Sequence, residues 1–456
     1  MTATRRAPAL VWFQQDLRLS DNPALAAALE RGSPVVPVFI LAPEEEGAWP
    51  PGAAAKWWLG HSLADLITSL EQRGSRLIIR RGPTAEALGF PTAETGAAAV
   101  FWNRRYEPAV ATRDVGLKAK LHEWGLVAEG FNGSLLFEPS AIRNQRGDPF
   151  RVFSAFWRAC LTHSVTPTAK GTPKRFPSPE KWPWSLDLAD LTLEPKVDWA
   201  AGFREVWRPG ESGARRRLEC FLEEALNGYP VNRDRPDAAG TSRLSPHLHF
   251  GEISPRQVWG AVLERLDGHA EACQAYLRQI GWREFAYYLL HYFPESCSQP
   301  LRPEFAGFPW RYDPGLFKAW KRGRTGYPLV GAGMRELWHT GWMHNRVRMV
   351  VGSFLVKHLL IGWQEGAAWF WDTLVDADLA NNSLGWQWVA ACGADAAPYF
   401  RIFNPAIQAA KFDPQNHYIS RWAPDLKTGA GYPSPVVDHS EARLRALAAL
   451  ETIKKQ

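Results

Sequence analysis

Residues 372 to 388 read DTLVDADLANNSLGWQW and set aspartates, asparagines and tryptophans into an otherwise apolar neighbourhood. A helix beginning near Asp378 places Asp378, Asn382 and Trp386 at i, i+4 and i+8, so a carboxylate, an amide and an indole share one face. Solvent faces rarely carry the large indole, and core faces do not carry unpaired carboxylates, because an unpartnered buried charge is costly. One reading makes Asp376 or Asp378 a helix N-cap, Asn381 and Asn382 filler, and Trp386 ordinary core. The other makes the stripe one wall of a polar site. Upstream, WMHNRVRM (342 to 349) brings Asn345, Arg348 and Met349 to one helix face and turns Arg346 elsewhere. Packed against the first stretch, Arg348 would neutralise Asp376 or Asp378 and make a buried carboxylate tolerable. GTSRLSPHLHFGEIS (240 to 254) adds the hydroxyls of Thr241, Ser242 and Ser245 and free backbone N–H groups ahead of a helical segment. Such a start can hold phosphate, or it can simply cap a helix after a Ser-Pro turn. Combined, these stretches describe a pocket for a large, polar, aromatic cofactor.

The elements that must position them fall into two halves. Short apolar runs at 9–13, 34–41, 76–80, 98–102 and 125–131 alternate with helical patterns such as NPALAAALERG and AAKWWLGHSLADLITSLEQRG, which end in Arg-Gly. That βαβ rhythm predicts an α/β domain with a parallel, Rossmann-like sheet over residues 1–132. No GxGxxG follows the first strand, where the turn reads QQDLRLSDNP, so a dinucleotide fingerprint is absent. A connector is expected over 133–204, with six prolines and no sustained period between about 161 and 200. From 205 to 456 helical patterns dominate, which predicts an all-α domain. The EEE run at 44–46 reads as a solvated loop.

Composition narrows the class. With 46% hydrophobic and 22% charged residues the chain is globular, and no apolar run is long enough for a bilayer. The start, MTATRRAPALVWFQQ, reads as a strand rather than a signal peptide. Five scattered cysteines without CxxC spacing point to no zinc and fit a reduced, cytoplasmic setting. A net charge of +6 permits a polyanionic partner. Tryptophan is the outlier: 23 residues against 11 tyrosines, twelve of them after residue 250, more than a core requires. Indoles stack on aromatic cofactors and bases, and being oxidisable they can pass electrons.

DLRLSDN (16–22), GTSRLSP (240–246), WREF (282–285), GRTGYPLVGAGMRELWHTGWMHNRVRM (323–349) and DADLANNSLGWQWVAACGADAAPYFRIFNP (376–405) together resemble the photolyase/cryptochrome family, in order, from about residue 8 to 425. The resemblance is nearest to microbial cyclobutane pyrimidine dimer photolyases. It implies that the helical domain binds FAD. Tyr229, Thr241, Ser242, Leu244, Ser245, Tyr276, Arg283, Trp342, Asn345, Arg348, Asp376, Asp378 and Asn382 would hold that cofactor, with Asp376 paired to Arg348 and Asn382 facing flavin N5. Trp386, Trp363 and Trp310 match an electron-transfer chain from the surface to the flavin. The implied substrate is a UV-induced dimer flipped out of DNA and split by an electron from photoexcited, reduced FAD. Gln279, Trp282, Met349 and Trp388 match the lesion pocket alongside Asn382, and Arg233, Arg346 and Arg401 match DNA-contacting positions beside Trp282 and Trp388.

Departures from the family pattern matter as well. Gln279 stands where cyclobutane repair enzymes usually carry glutamate. Asn345 and Met349 stand where the (6-4) branch places histidines, which favours cyclobutane repair over (6-4) repair. Ala109 and Val110 replace the Asn-Glu pair that contacts folate in one subgroup. A methenyltetrahydrofolate antenna is favoured, with a deazaflavin or an empty site as alternatives; Trp57, Trp58 and His61 are candidates to line its pocket, with helix-face core the favoured reading for both indoles. Only about thirty residues follow SRWAPDL, which favours a repair enzyme over a cryptochrome-type blue-light receptor. A small-molecule flavin redox enzyme lacks a nicotinamide site. The expectation is a monomeric deoxyribodipyrimidine photolyase acting on UV-damaged DNA, cytoplasmic, nucleoid-associated when bound, and free of membrane or metal.

Overall fold

The computed structural model describes residues 6–166, 168, 171–396, 400–428 and 431–454. Residues 1–5 of the quoted start and 397–399 of the long C-terminal motif lie outside them. Each apolar run becomes a strand with ends shifted by at most two residues: β1 (Ala9–Phe13), β2 (Val35–Leu41), β3 (Ile78–Arg81), β4 (Ala99–Asn103) and β5 (Val127–Phe131). They form one parallel sheet in the order β3-β2-β1-β4-β5, with Ala9 level with both Val35 and Ala99. Both faces are covered along β1, β2 and β4, which are buried almost throughout, whereas the edge strand β5 alternates, with Val127 and Glu129 exposed around buried Ala128. Leu10, Trp12, Val36 and Val100 pack one core, while Ala9, Val11, Phe13 and Phe39 pack the other. The helices are α1 (Pro23–Glu30), α2 (Ala53–Glu71), α3 (Thr84–Thr95) and α4 (Pro108–Glu123). Asn22 caps α1 by accepting from Leu25 N, and Pro23 at the first turn needs no hydrogen-bond partner.

The turn after β1 holds no ligand-shaped space. Asp16 accepts from Gln14 N, from Asn103 Nδ2 at 2.6 Å and from Asn22 Nδ2 at 3.2 Å. Arg18, 1% exposed, donates to the carbonyls of Asp21, Gly133 and Gly251. Leu17 N donates to Phe250 O at 3.0 Å. The DLRLSDN motif therefore ties the sheet to the helical half. Gly251 has φ +63°, and a Cβ there would collide with the Gln15 carbonyl, so this contact needs glycine twice over.

In the helical half, the Leu379–Ala390 helix packs against the helices Trp363–Thr373, Asn345–Ser353 and Ala270–Tyr292. These four carry most of the site. The connecting region is more than a linker, because it contains α5 (Phe153–Cys160), whose Phe153, Phe156, Trp157 and Cys160 join the core of the Ala270–Tyr292 helix. Beyond it, the described residues of the proline-rich stretch are irregular apart from a 3₁₀ turn at Leu188–Leu191.

One expectation fails here. The EEE run is not a solvated loop: Glu45 accepts from Thr84 N at 3.0 Å, and Glu46 binds Arg105 through two hydrogen bonds of 2.6 and 2.8 Å. Nonlocal cations and amides claim those carboxylates, which no local pattern reveals. Trp57 and Trp58 are core, at 1% and 0% exposure, with Trp58 Nε1 donating to Glu252 at 2.8 Å. His61 lies tilted against Trp57 at 4.5 Å and pairs with Glu194, and none of the three lines either of the cavities described below.

Candidate functional site

A cavity of about 660 Å³ opens in the helical half, within the range of about 300–1,000 Å³ usual for cofactor sites. Its walls bring together nearly all the residues singled out above. Tyr229, Thr241, Ser242, Leu244 and Ser245 line it, as do Tyr276, Gln279, Trp282 and Arg283 from the Ala270–Tyr292 helix. Trp342, Asn345, Arg348 and Met349 form another side, and Asp376, Asp378, Asn382, Trp386, Trp388 and Arg401 complete it. Arg233 also reaches the lining, but Arg346 does not. Arg346 is instead paired with Asp234 at 2.8 Å and lies over the Phe412 ring.

Both readings of the opening stripe hold at once. Asp378 is the N-cap of the Leu379–Ala390 helix, accepting from Asn381 N at 2.8 Å, and it also faces the cavity. Burial by itself would push this carboxyl up. Hydrogen bonds and charge from His249, Arg283 and Tyr287 outweigh burial and hold it well below the usual carboxylate range. His249 Nδ1 lies 3.6 Å from the carboxylate, and the Tyr287 hydroxyl donates to it directly. Asp376, 3% exposed at the side chain, is held by Arg348 Nη2 at 2.8 and 3.0 Å, while Arg348 Nε donates to Met343 O. The expected pairing of Arg348 with Asp376 is therefore present, and it explains how a carboxylate sits under a helical core.

The hydroxyl-rich side differs from a long helix start. The helix Ser245–His249 is only five residues long, so its dipole is small and the side chains must supply the polarity. Tyr276 OH donates to Ser242 Oγ at 2.9 Å, and Trp342 Nε1 donates to Ser245 Oγ at 3.3 Å. Asn382 is oriented as firmly: its Nδ2 donates to Ala367 O at 3.1 Å, and a backbone carbonyl accepts only, so Oδ1 is the atom left for the cavity.

Trp386 is 3% exposed, and its Nε1 has no hydrogen-bond partner. It lies over Gly366, where any Cβ would collide with the indole. Trp363, on the same helix as Gly366, is 1% exposed, and half-buried Trp310 packs beside Gly362, so the three indoles share one core. Trp320 lies edge-on to Trp386 at 6.2 Å, a neighbour that sequence pattern did not single out. At the open end, Trp282 is stacked on Phe153 at 3.8 Å and 8°, with Arg278 over the far face of Phe153. Phe153 was also missed, because its role depends on α5 folding back onto a helix more than a hundred residues downstream. Arg401 lies 5.7 Å from the Trp388 ring.

A second, tight cavity of about 50 Å³ lies between the halves, lined by Trp12, Gln14, Glu46, Trp49, Arg105, Arg113, His249 and Trp371 among others. His249 borders both cavities. Among the described residues no cluster could hold a metal, and no helix is long and apolar enough to cross a membrane.

A parallel-sheet domain is joined to a helical domain that holds one large cavity lined by hydroxyls, paired charges and indoles, an architecture suited to a large aromatic cofactor. Family comparisons agree: residues 9–179 match the family described as DNA photolyase, and residues 276–429 match the FAD binding domain of DNA photolyase. The chain is 48% identical to the deoxyribodipyrimidine photo-lyase of Agrobacterium fabrum, covering 99% of both chains. It is 40% identical to Cryptochrome-1 of Arabidopsis thaliana, covering 97% of this chain and 70% of that one. The crystal structure of a bacterial class III photolyase from Agrobacterium tumefaciens superposes with a TM-score of 0.95 at 46% identity, covering 100% of this chain and 99% of that one. The chain belongs to the photolyase/cryptochrome family.

Proposed function

We propose that this protein is a light-driven DNA repair enzyme that splits cyclobutane pyrimidine dimers with FAD bound in the large cavity. The observation that carries the reading is that one cavity of cofactor size joins buried polar groups such as Asp376, Asp378 and Ser242 to the partly exposed side chains of Gln279, Trp282, Met349, Trp388 and Arg401. The residues present fit FAD. Ser242, Ser245 and Thr241 offer hydroxyls to a pyrophosphate and ribityl chain, Arg283 and Arg348 offer positive charge, and Asp378 offers a carboxylate to hydroxyl groups. When bound and fully reduced, FAD supplies a light-ejected electron to the dimer and receives it back after the ring opens.

The chain's own contribution is placement. Asn382 presents Oδ1, an acceptor suited to a protonated flavin N5, because the contact of one amide hydrogen with Ala367 O fixes which way the amide points. Trp282, braced from behind by Phe153, and Trp388 offer indole faces for an extruded base. Arg233 and Arg401 supply cations at the rim for DNA phosphates, and Arg346, paired with Asp234, contributes less. Trp386, Trp363 and Trp310 would relay electrons that restore the reduced state. An antenna would occupy the second cavity rather than the Trp57–His61 face. A methenyltetrahydrofolate there would have to displace the Arg105 and Arg113 side chains, so the bound spectrum decides between folate, deazaflavin and none. The enzyme is proposed to act as a monomer.

Blue-light reversal of dimers in UV-irradiated oligothymidine by the reduced enzyme tests the reading; no turnover would transfer the protein to a signalling role, the alternative that its likeness to Cryptochrome-1 raises. Turnover on (6-4) photoproducts is not expected, since no histidine lines the mouth among the described residues; His249 lies against Asp378 instead.

A further inference from the structure

Gln279 lines the cavity one turn before Trp282 and Arg283 on the Ala270–Tyr292 helix. Two contacts fix the orientation of its amide. Arg233 Nη2 can only donate, so the atom 3.2 Å from it is Gln279 Oε1. Nε2 then meets the carbonyl of Ala275, one turn back on the same helix, at 3.3 Å, and that carbonyl can only accept. A flipped amide would place donor against donor and acceptor against acceptor. One Nε2 hydrogen therefore remains uncommitted, while Oε1 lies beside a guanidinium whose own hydrogens also face the lining. The pair Arg233–Gln279 is an edge rich in donors.

Pyrimidines differ in what they offer such an edge. Cytosine carries two adjacent acceptors, O2 and N3, whereas thymine interposes an N3–H donor between its two carbonyls. A donor meeting a donor leaves both unpaired, and an enzyme site that mispairs one buried polar group discriminates strongly. Resting on the repair reading above, we propose that Arg233 and Gln279 make this enzyme prefer cyclobutane dimers in which a cytosine rather than a thymine faces this wall. Gln279 is then a specificity-determining residue, and Arg233 positions it.

The test compares oligonucleotides carrying one thymine–thymine dimer with others carrying one cytosine-containing dimer in either order. Repair rates are measured with pre-reduced enzyme at limiting substrate under saturating light. Saturation of the C5–C6 bond makes the cytosine amino group prone to hydrolysis, so the same lesion aged to its deaminated form provides a partner that differs only at C4 and N3. The wild-type ratio of cytosine to thymine repair is expected to exceed that of Gln279→Glu by about tenfold, the discrimination of one mispaired polar contact. It is expected to fall on deamination, and to fall in Arg233→Met, where the guanidinium donors are lost and Ala275 O alone holds the amide. A ratio equal in wild type and Gln279→Glu overturns the inference while leaving dimer repair intact. A wild-type advantage that survives deamination overturns it equally, and that arm needs no variant to fold. Wild-type enzyme that repairs no dimer overturns the repair reading and this inference with it.

Discussion

The two cavities of this molecule follow opposite rules. In the helical half, a volume of about 660 Å³ is kept open by paired charges and oriented amides. Beside the sheet, where β1 meets β4 and the strand order reverses, an open α/β sheet would ordinarily receive a ligand. Here that position is closed by the protein itself. Asp16, Arg18, Asn22 and Asn103 satisfy one another and the carbonyls of Gly133 and Gly251, and only about 50 Å³ remains nearby. The same residue types, arginine and aspartate, thus make a lock in one place and a receptor in the other. What decides is whether their hydrogen-bonding capacity is used up inside the protein.

The largest effect that would sharpen this contrast comes from the arginines. Arg348→Met leaves Asp376 buried without its cation and should destabilise the fold by about 3–5 kcal/mol, with loss of bound flavin absorbance. Arg105→Met, in the tight cavity, sets Glu46 against Glu107 and should lower the thermal midpoint while flavin absorbance persists. Equal flavin loss in both would erase the distinction between receptor and lock. Next, Trp386→Phe should slow photoreduction of oxidised FAD on the order of tenfold, a barrier change of about 1.4 kcal/mol, while repair by pre-reduced enzyme continues. Equal loss of both activities would contradict a relay role.

A third effect concerns the wall itself. Glu284, buried behind Arg283, accepts from the backbone of Leu136 and Phe137 and is pushed up to about 7 by burial, which Arg283 and those two amides only partly offset. Because its folded value lies above the unfolded 4.5, this carboxyl contributes stability that is complete below pH 4.5 and lost as the pH rises through 7. The stability advantage of wild type over Glu284→Gln should therefore shrink across that window, on the order of 1 kcal/mol per pH unit, as read from thermal midpoints. A flat difference would mean the carboxyl titrates normally. The smallest effect is spectroscopic: Asn382→Asp, which replaces a fixed acceptor with an ionisable one, should change which flavin radical accumulates under light, with little change in stability.

Sequence pattern was informative where chemistry is local. The strand runs, the Asp378 stripe and the approach of Arg348 to Asp376 all follow from periodicity and charge over fewer than forty residues. It failed where roles are assigned by distant partners. Glu45 and Glu46 looked solvated until Thr84 and Arg105 claimed them. DLRLSDN was recognisable as a motif, yet its task of docking Gly251 required the tertiary fold. Residues that act through a neighbour, such as Phe153, His249 and Trp320, leave no local signature.

The stacking of Phe153 on Trp282 carries a consequence for the polypeptide that joins the two halves. Since α5 belongs to that segment, a protease cut between residues 133 and 152 would do more than sever a tether. It would loosen the backstop of an indole at the mouth and make grip on damaged DNA depend on an intact backbone far from the flavin.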